Sequence, residues 1–230
     1  YGYALDVAHP AVYKAVQKLE WQIESKDPAS QYMIVFNPHA WDIKGNIEYD
    51  FNWDLKTPST AEDEKGNLLR HQWTAGTTET GSRKGIIVRT SIPAFGYRQI
   101  RIRAGEPQDA MPGVSAAGNS IENEFLKLTI HESGSIDLLD KENGIEVFRG
   151  TSSGCREVVI DDPSDTWSHD IKSFSKEIGS FGNAVTKTLE TGPLRGIIRS
   201  VSKYGNSTLT IDWILYAGIR TIEAKVSLNW

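Results

Sequence analysis

Between residues 221 and 230, apolar and polar side chains alternate without a break. Ile222, Ala224, Val226, Leu228 and Trp230 fall on one side, and Thr221, Glu223, Lys225, Ser227 and Asn229 on the other. A period of two predicts a strand with one face on a core and the other in water. The same period recurs along the chain. Ile47, Tyr49, Phe51 and Trp53 alternate with Glu48, Asp50 and Asn52. Ile86, Val88, Thr90 and Ile92 repeat it, as do Ile100 and Ile102 against Arg101 and Arg103. Further on come Leu126, Leu128 and Ile130, then Leu209, Ile211, Trp213 and Leu215. Turn formers bound these runs: Asn37-Pro38, Pro93-Ala94-Phe95-Gly96 and Glu132-Ser133-Gly134. Short strands joined by such turns predict a mainly β fold of antiparallel, layered sheets. The alternation also assigns Trp53 and Trp213 to the core.

Other segments predict strands at 32–36, 67–73, 135–139, 145–148, 156–160, 185–189 and 195–204. One helix is predicted over 10–25, where Val12, Val16, Leu19 and Ile23 form an apolar stripe. Pro10 suits its first turn and Pro28 lies just past its end. The run 104–119 is rich in Ala, Gly and Pro and has no period, so 105–119 reads as a linker. The expected organisation is a helical segment over 1–29, a small sandwich of about five strands over 30–104, the linker, and the first part of a larger antiparallel β-sandwich over 120–230. The chain opens on Tyr1 and stops on Trp230 inside an alternating run. Both ends therefore read as cuts in a longer protein, and an unpaired strand edge is expected to make the chain associate with itself.

Composition removes several classes of function. Of 230 residues, 39% are hydrophobic and 24% charged, a balance suited to a folded core. A net charge of -5 with no basic run argues against nucleic acid or a membrane surface as partner. No apolar run approaches the length of a membrane span. Cys155 is the single cysteine, so no internal disulfide is available, and a cytoplasmic location is expected. Cys155 itself reads as a small buried residue. Asn206-Ser207-Thr208 fits a glycosylation triplet, a pattern common by chance.

The chemistry-bearing residues are sparse. The five histidines are His9, His39, His71, His131 and His169, and none has the spacing of a zinc site. No phosphate loop or nucleophile elbow is present; the Gly-containing stretch 75–85 lacks the lysine pattern. No catalytic residue and no metal ligand is assigned. One segment stands apart: residues 161–170 read DDPSDTWSHD, with four aspartates, a tryptophan and a histidine in ten positions. Asp161, Asp162, Asp165, Trp167 and His169 form the candidate site. Carboxylates accept hydrogen bonds from sugar hydroxyls, an indole stacks on a pyranose face, and two carboxylates can act as acid and base. The competing reading is a solvated loop of turn formers whose tryptophan tucks into the core or a domain interface. The spacing does not fit a calcium loop.

Several segments together resemble glycoside hydrolase family 38, the α-mannosidases, in the region after the catalytic domain. They are Val35-Phe36-Asn37-Pro38-His39-Ala40-Trp41; Ile92-Pro93-Ala94-Phe95-Gly96-Tyr97; Ile121-Glu122-Asn123-Glu124-Phe125-Leu126 with Gly134-Ser135-Ile136 and Asp140-Lys141; Asp162-Pro163 with Asp165-Thr166-Trp167; and Gly192-Pro193-Leu194-Arg195-Gly196. The resemblance implies a helical bundle ending in the first helix, a small β-domain, and a large sandwich similar to the galactose-mutarotase fold. It also implies a retaining α-mannosidase as the parent protein, with zinc, nucleophile and acid/base in an upstream catalytic domain whose motifs have no match here. The family's Asp-Ala-Trp-Asp loop is replaced by Asp-Thr-Trp-Ser at 165–168. The expected partners are the missing catalytic domain of the same chain and mannosides, and the chain alone is expected to be inactive. A carbohydrate-binding module is the alternative, with Trp41, Trp53, Trp73 or Trp167 as stacking platforms.

Overall fold

The computed structural model describes residues 1–25, 27–51, 59–76, 84–106, 113–149 and 155–230. The chain forms two compact units, Tyr1–Gln108 and Asp109–Trp230.

The first unit begins with helix α1 (Gly2–Glu20). This helix starts eight residues before the expected boundary, so Pro10 lies inside it rather than in its first turn. Nothing among Tyr3, Ala4, Leu5 and Val7 breaks a helix, and the one hydrogen bond that Pro10 removes does not outweigh them. No α1 residue is buried. Tyr13, Val16 and Glu20 instead border a cavity of about 840 Å³ together with the first two strands.

Among the described residues, six strands then make two antiparallel sheets. One has the order β1 (Gln31–Phe36), β6 (Tyr97–Ala104), β3 (Ser59–Glu62). The other has the order β2 (Ile43–Phe51), β5 (Lys84–Ile92), β4 (His71–Ala75). Met33, Ala61, Ile86, Val88, Ile100 and Ile102 meet between them. Each of these isoleucines, fully buried, is worth about 1.5–3 kcal/mol. The odd-numbered partners of Ile100 and Ile102 are satisfied too: Arg101 and Arg103 both pair with Glu62, which is 2% exposed. The expected Trp53 lies outside the described residues.

Asn37 ties one end of this sandwich. Its amide donates to the carbonyls of Trp41 at 2.8 Å, Pro93 at 3.0 Å and Ile92 at 3.3 Å, and its Oδ1 accepts from His39 N–H at 3.0 Å. The Pro93–Gly96 turn is thereby clamped to residues 37–41, and Phe95 takes a φ of 46° within it. Two of the recognised sequence segments are one hydrogen-bonded corner.

The second unit has a five-stranded sheet of order β11 (Ile145–Phe148), β10 (Ile136–Asp140), β9 (Leu126–Ile130), β8 (Ser120–Glu122), β7 (Ser115–Ala117). A four-stranded sheet runs β14 (Gly182–Glu190), β15 (Arg195–Tyr204), β16 (Ser207–Tyr216), β17 (Ile222–Asn229). A ribbon of β12 (Val158–Ile160) and β13 (Glu177–Ser180) completes it. Ile121, Leu128 and Ile136 share one core with Ile198, Leu209, Ile211, Trp213 and Leu215. The alternating face of β16 is thus buried as predicted. β7 falls in the stretch expected as linker; Val114 and Ala116 enter the core there, because a three-residue strand of small side chains carries no readable period.

β15 and β16 pair without a shift from Arg195↔Tyr216 to Tyr204↔Ser207, closed by Gly205 and Asn206. Gly205 has a φ of 55°, the positive value that the first residue of such a tight turn requires. β17 lies at the edge of its sheet. Its apolar face is not half-buried as expected: Val226 is 59% and Leu228 53% exposed. Alternation marks a face able to be buried but does not supply the surface that covers it.

Candidate functional site

The loop 161–170 leaves β12 and returns through β13. At its base Asp161 N–H donates to the Lys176 carbonyl at 2.8 Å, and Lys176 Nζ lies 2.8 Å from Asp161 Oδ2. Asp162 accepts from Ser164 N–H at 3.0 Å and from the Ser164 hydroxyl. These bonds hold the Asp162 carboxyl below its ordinary value.

Asp165 organises the tip. Its Oδ1 accepts from Trp167 N–H at 3.0 Å and His169 N–H at 3.1 Å, while its Oδ2 lies 2.7 Å from His169 Nδ1. The His169 side-chain bond is the leading cause that pushes the Asp165 carboxyl down. Ser168 and Asp170 adopt φ of 56° and 60°, a left-handed backbone uncommon outside glycine. Trp167 is 80% exposed, so within this chain it is not tucked into the core.

The structure therefore brings Asp165, the Trp167 backbone and His169 together. It places Asp161 with Lys176 and Asp162 with Ser164. The candidate carboxylates are bound by different donors, so the repulsion between like charges is offset by local hydrogen bonding. The arrangement presents one imidazole with Nδ1 committed to a carboxylate beside one exposed indole, a pairing able to meet hydroxyls and an apolar ring face. Among the described residues, no three of His, Cys, Asp and Glu come together to hold a metal ion. The residues here do not fit the zinc that the resemblance implies for the catalytic domain.

The other candidates are scattered. Trp41 is 62% exposed and stacks on His39 at 4.7 Å between centroids. Trp73 is half-buried, with Nε1 3.4 Å from the Ser59 carbonyl. Trp213 is a core residue whose Nε1 donates to Ser200 Oγ at 3.2 Å. His71 lies against the Leu69 and Ser59 carbonyls, and His131 Nε2 lies 2.9 Å from Asp137 Oδ2. Cys155 is exposed, not buried; its main-chain carbonyl bridges to Ile136 N–H at 3.1 Å while its thiol stays outside. Asn206 is exposed at the tip of the β15–β16 turn.

Glu157 is the residue that sequence reading missed. It is half-buried, accepts from the Ser202 hydroxyl at 2.9 Å, and burial pushes its carboxyl up. Its spacing from Val159 put it on the inward phase of β12, which was a legible signal.

Comparison with known proteins gives this geometry a context. Residues 121–230 match the family model described as the glycosyl hydrolases family 38 C-terminal domain. A solved protein in glycosyl hydrolase family 38 from Enterococcus faecalis superposes with a TM-score of 0.67 over 97% of this chain, at 12% identity. An alpha-mannosidase from Enterococcus faecalis V583 superposes with a TM-score of 0.66 over 97% of this chain, at 13% identity. The chain spans about a third of the length of these two proteins, 34% and 33%. No curated protein matches it. The fold is thus shared with these structures over 97% of the chain, and residues 121–230 match the C-terminal domain of the family 38 glycosyl hydrolases.

Proposed function

We propose that this chain is the non-catalytic β region of an α-mannosidase-like glycoside hydrolase. It supports one wall of the cleft in which α-mannosides are hydrolysed. The match of 121–230 to the family 38 C-terminal domain carries the reading. In the whole protein the loop 161–170 faces the catalytic domain and shapes the cleft through Trp167, without giving or taking the catalytic proton. Asp165 suits that role because both of its oxygens are already committed to the loop's own donors. The chemistry, with its zinc, belongs to the catalytic domain of the same chain, and the location is cytoplasmic.

The reading is tested in two steps. The 230-residue chain should not hydrolyse an aryl α-mannoside, with or without added zinc. Turnover by a clean preparation would sink the non-catalytic assignment. In the whole protein Asp165→Asn should keep turnover within about tenfold, short of the roughly 10²–10⁴ expected for loss of a general acid or base. Trp167→Ala should raise the Michaelis constant or lower stability.

A further inference from the structure

The β12–β13 ribbon meets the rest of the second unit mainly through apolar packing. Val159 and Phe181 enter the core, Tyr204 of β15 packs on Gly179 of β13 and on the Phe181 ring, and Ile136 N–H donates to the Cys155 carbonyl at 3.1 Å. A polar side-chain tie joins them among the described residues: the Ser202 hydroxyl of β15, on a residue 2% exposed, donates to Glu157 Oε2 at 2.9 Å.

The surroundings of that carboxyl are unusual. Glu157 borders an open groove of about 390 Å³. Every other lining residue is apolar, Val159, Ile211 and Leu228 among them. The carboxyl is also wedged against the β9–β10 turn. A Cβ on Gly134 would lie 2.6 Å from Glu157 Oε2, so the close approach exists only because that position is glycine, at φ 85°. The neighbouring charges are engaged elsewhere. Arg156 lies 2.5 Å from Glu177 on the same ribbon, and His131 Nε2 lies 2.9 Å from Asp137 on the sheet behind the turn. Glu132 lies two residues before Gly134 in that turn, and its carbonyl accepts from Ala184 N–H. Lys203 alternates to the face opposite Ser202.

A half-buried carboxylate on an apolar groove with one hydroxyl donor is less well solvated than on the undocked ribbon, whereas the neutral acid is tolerated. We propose that Glu157 is a proton-dependent latch: protonated, it holds the β12–β13 ribbon and the loop it carries onto the unit, and ionised, it releases them. The latch is a property of this chain alone. Only its consequence for the cleft, regulation of the loop's position by pH, rests on the function proposed above.

The sign follows from linkage. Burial raises the docked carboxyl above the ordinary value of 4.5, so the undocked ribbon releases its proton first. Opening is then favoured as pH rises from 4.5 to the raised value, and becomes independent of pH above it. One linked proton gives roughly a tenfold increase in opening per pH unit within that window.

Hydrogen exchange of the whole chain, corrected for intrinsic pH dependence, reads this directly. Amides of 157–160 and 177–181 should show the window, while those of β16 report the global stability. Glu157→Gln should abolish the window. Ser202→Ala removes the donor that favours the ionised form and should move its upper end to higher pH. A window unchanged in Glu157→Gln, or moved down in Ser202→Ala, overturns the latch. Carbon-13 titration of the wild-type Glu157 carboxyl decides the matter without any variant: a midpoint at or below 4.5 also overturns it.

Discussion

Nδ1 of His169 lies 2.7 Å from Oδ2 of Asp165 in a loop whose tryptophan, Trp167, is 80% exposed. The pair fixes the loop tip, because the same carboxylate also binds the backbone N–H groups of Trp167 and His169. The Asp165 carboxyl is held below 3.8, chiefly by His169, so it favours the observed loop above 3.8 and loses that effect as pH falls through its lowered value. Protonation of Asp165 should therefore change Trp167 emission only below the ordinary aspartate range. Asp165→Asn should show the altered emission at all pH values. A wild-type transition centred well above 3.8 would contradict the assignment.

Asn123 predicts a large effect on stability. It is 3% exposed, donates to the carbonyls of Tyr216 at 2.8 Å and Ile219 at 2.9 Å, and accepts from the N–H groups of Phe125 and Leu126. Asn123→Ala leaves these buried groups unmatched and should cost roughly 3 kcal/mol in urea unfolding. A loss within the few tenths typical of surface changes would mean that water replaces the amide.

Gly196 faces Val114 so closely that an added Cβ would lie 2.6 Å from Val114 Cγ1. Gly196→Ala should destabilise by about 1–3 kcal/mol through overpacking. Val114→Ala in the same chain should recover part of that loss, and a double-mutant cycle measures the coupling. Strict additivity would show that the two residues do not meet.

The exposed edge at β17 predicts self-association. Val226 and Leu228 present apolar surface on a strand with a free side among the described residues. Light scattering should find oligomers that grow with concentration, and Val226→Lys should reduce them. A wild-type monomer at high concentration would remove this partner.

The sequence was most legible where period and burial agree. Leu209, Ile211, Trp213 and Leu215 alternate and are all core residues. Ile222, Val226 and Leu228 alternate equally well, yet the last two are exposed, since a period says nothing of what lies opposite. β3 was unreadable for another reason. Ser59, Thr60, Ala61 and Glu62 are all buried, but three are polar, and Glu62 is held by two arginines distant in sequence. The site was legible as composition only. Four clustered aspartates suggested one carboxylate site, whereas hydrogen bonds assign Asp161 to Lys176, Asp162 to Ser164 and Asp165 to His169. Which donor reaches which acid is set by loop backbone angles such as those at Ser168 and Asp170, which side-chain chemistry does not encode.

The unshifted β15–β16 pairing has a kinetic consequence. Closing its two-residue turn costs little chain entropy, and isolated hairpins form in roughly 1–10 μs. The bond from Asn123 to Tyr216, by contrast, waits on residues 93 positions apart. Assembly of the second unit should therefore start at this hairpin, with Ile198 and Trp213 already packed in the transition state and Ala116 joining late. Mutational φ-values near one at Ala116 and near zero at Trp213 would reverse that order. The hairpin that commits the unit to its shape is made after β7–β14, so those earlier strands leave the ribosome and wait for a partner that has not yet been synthesised.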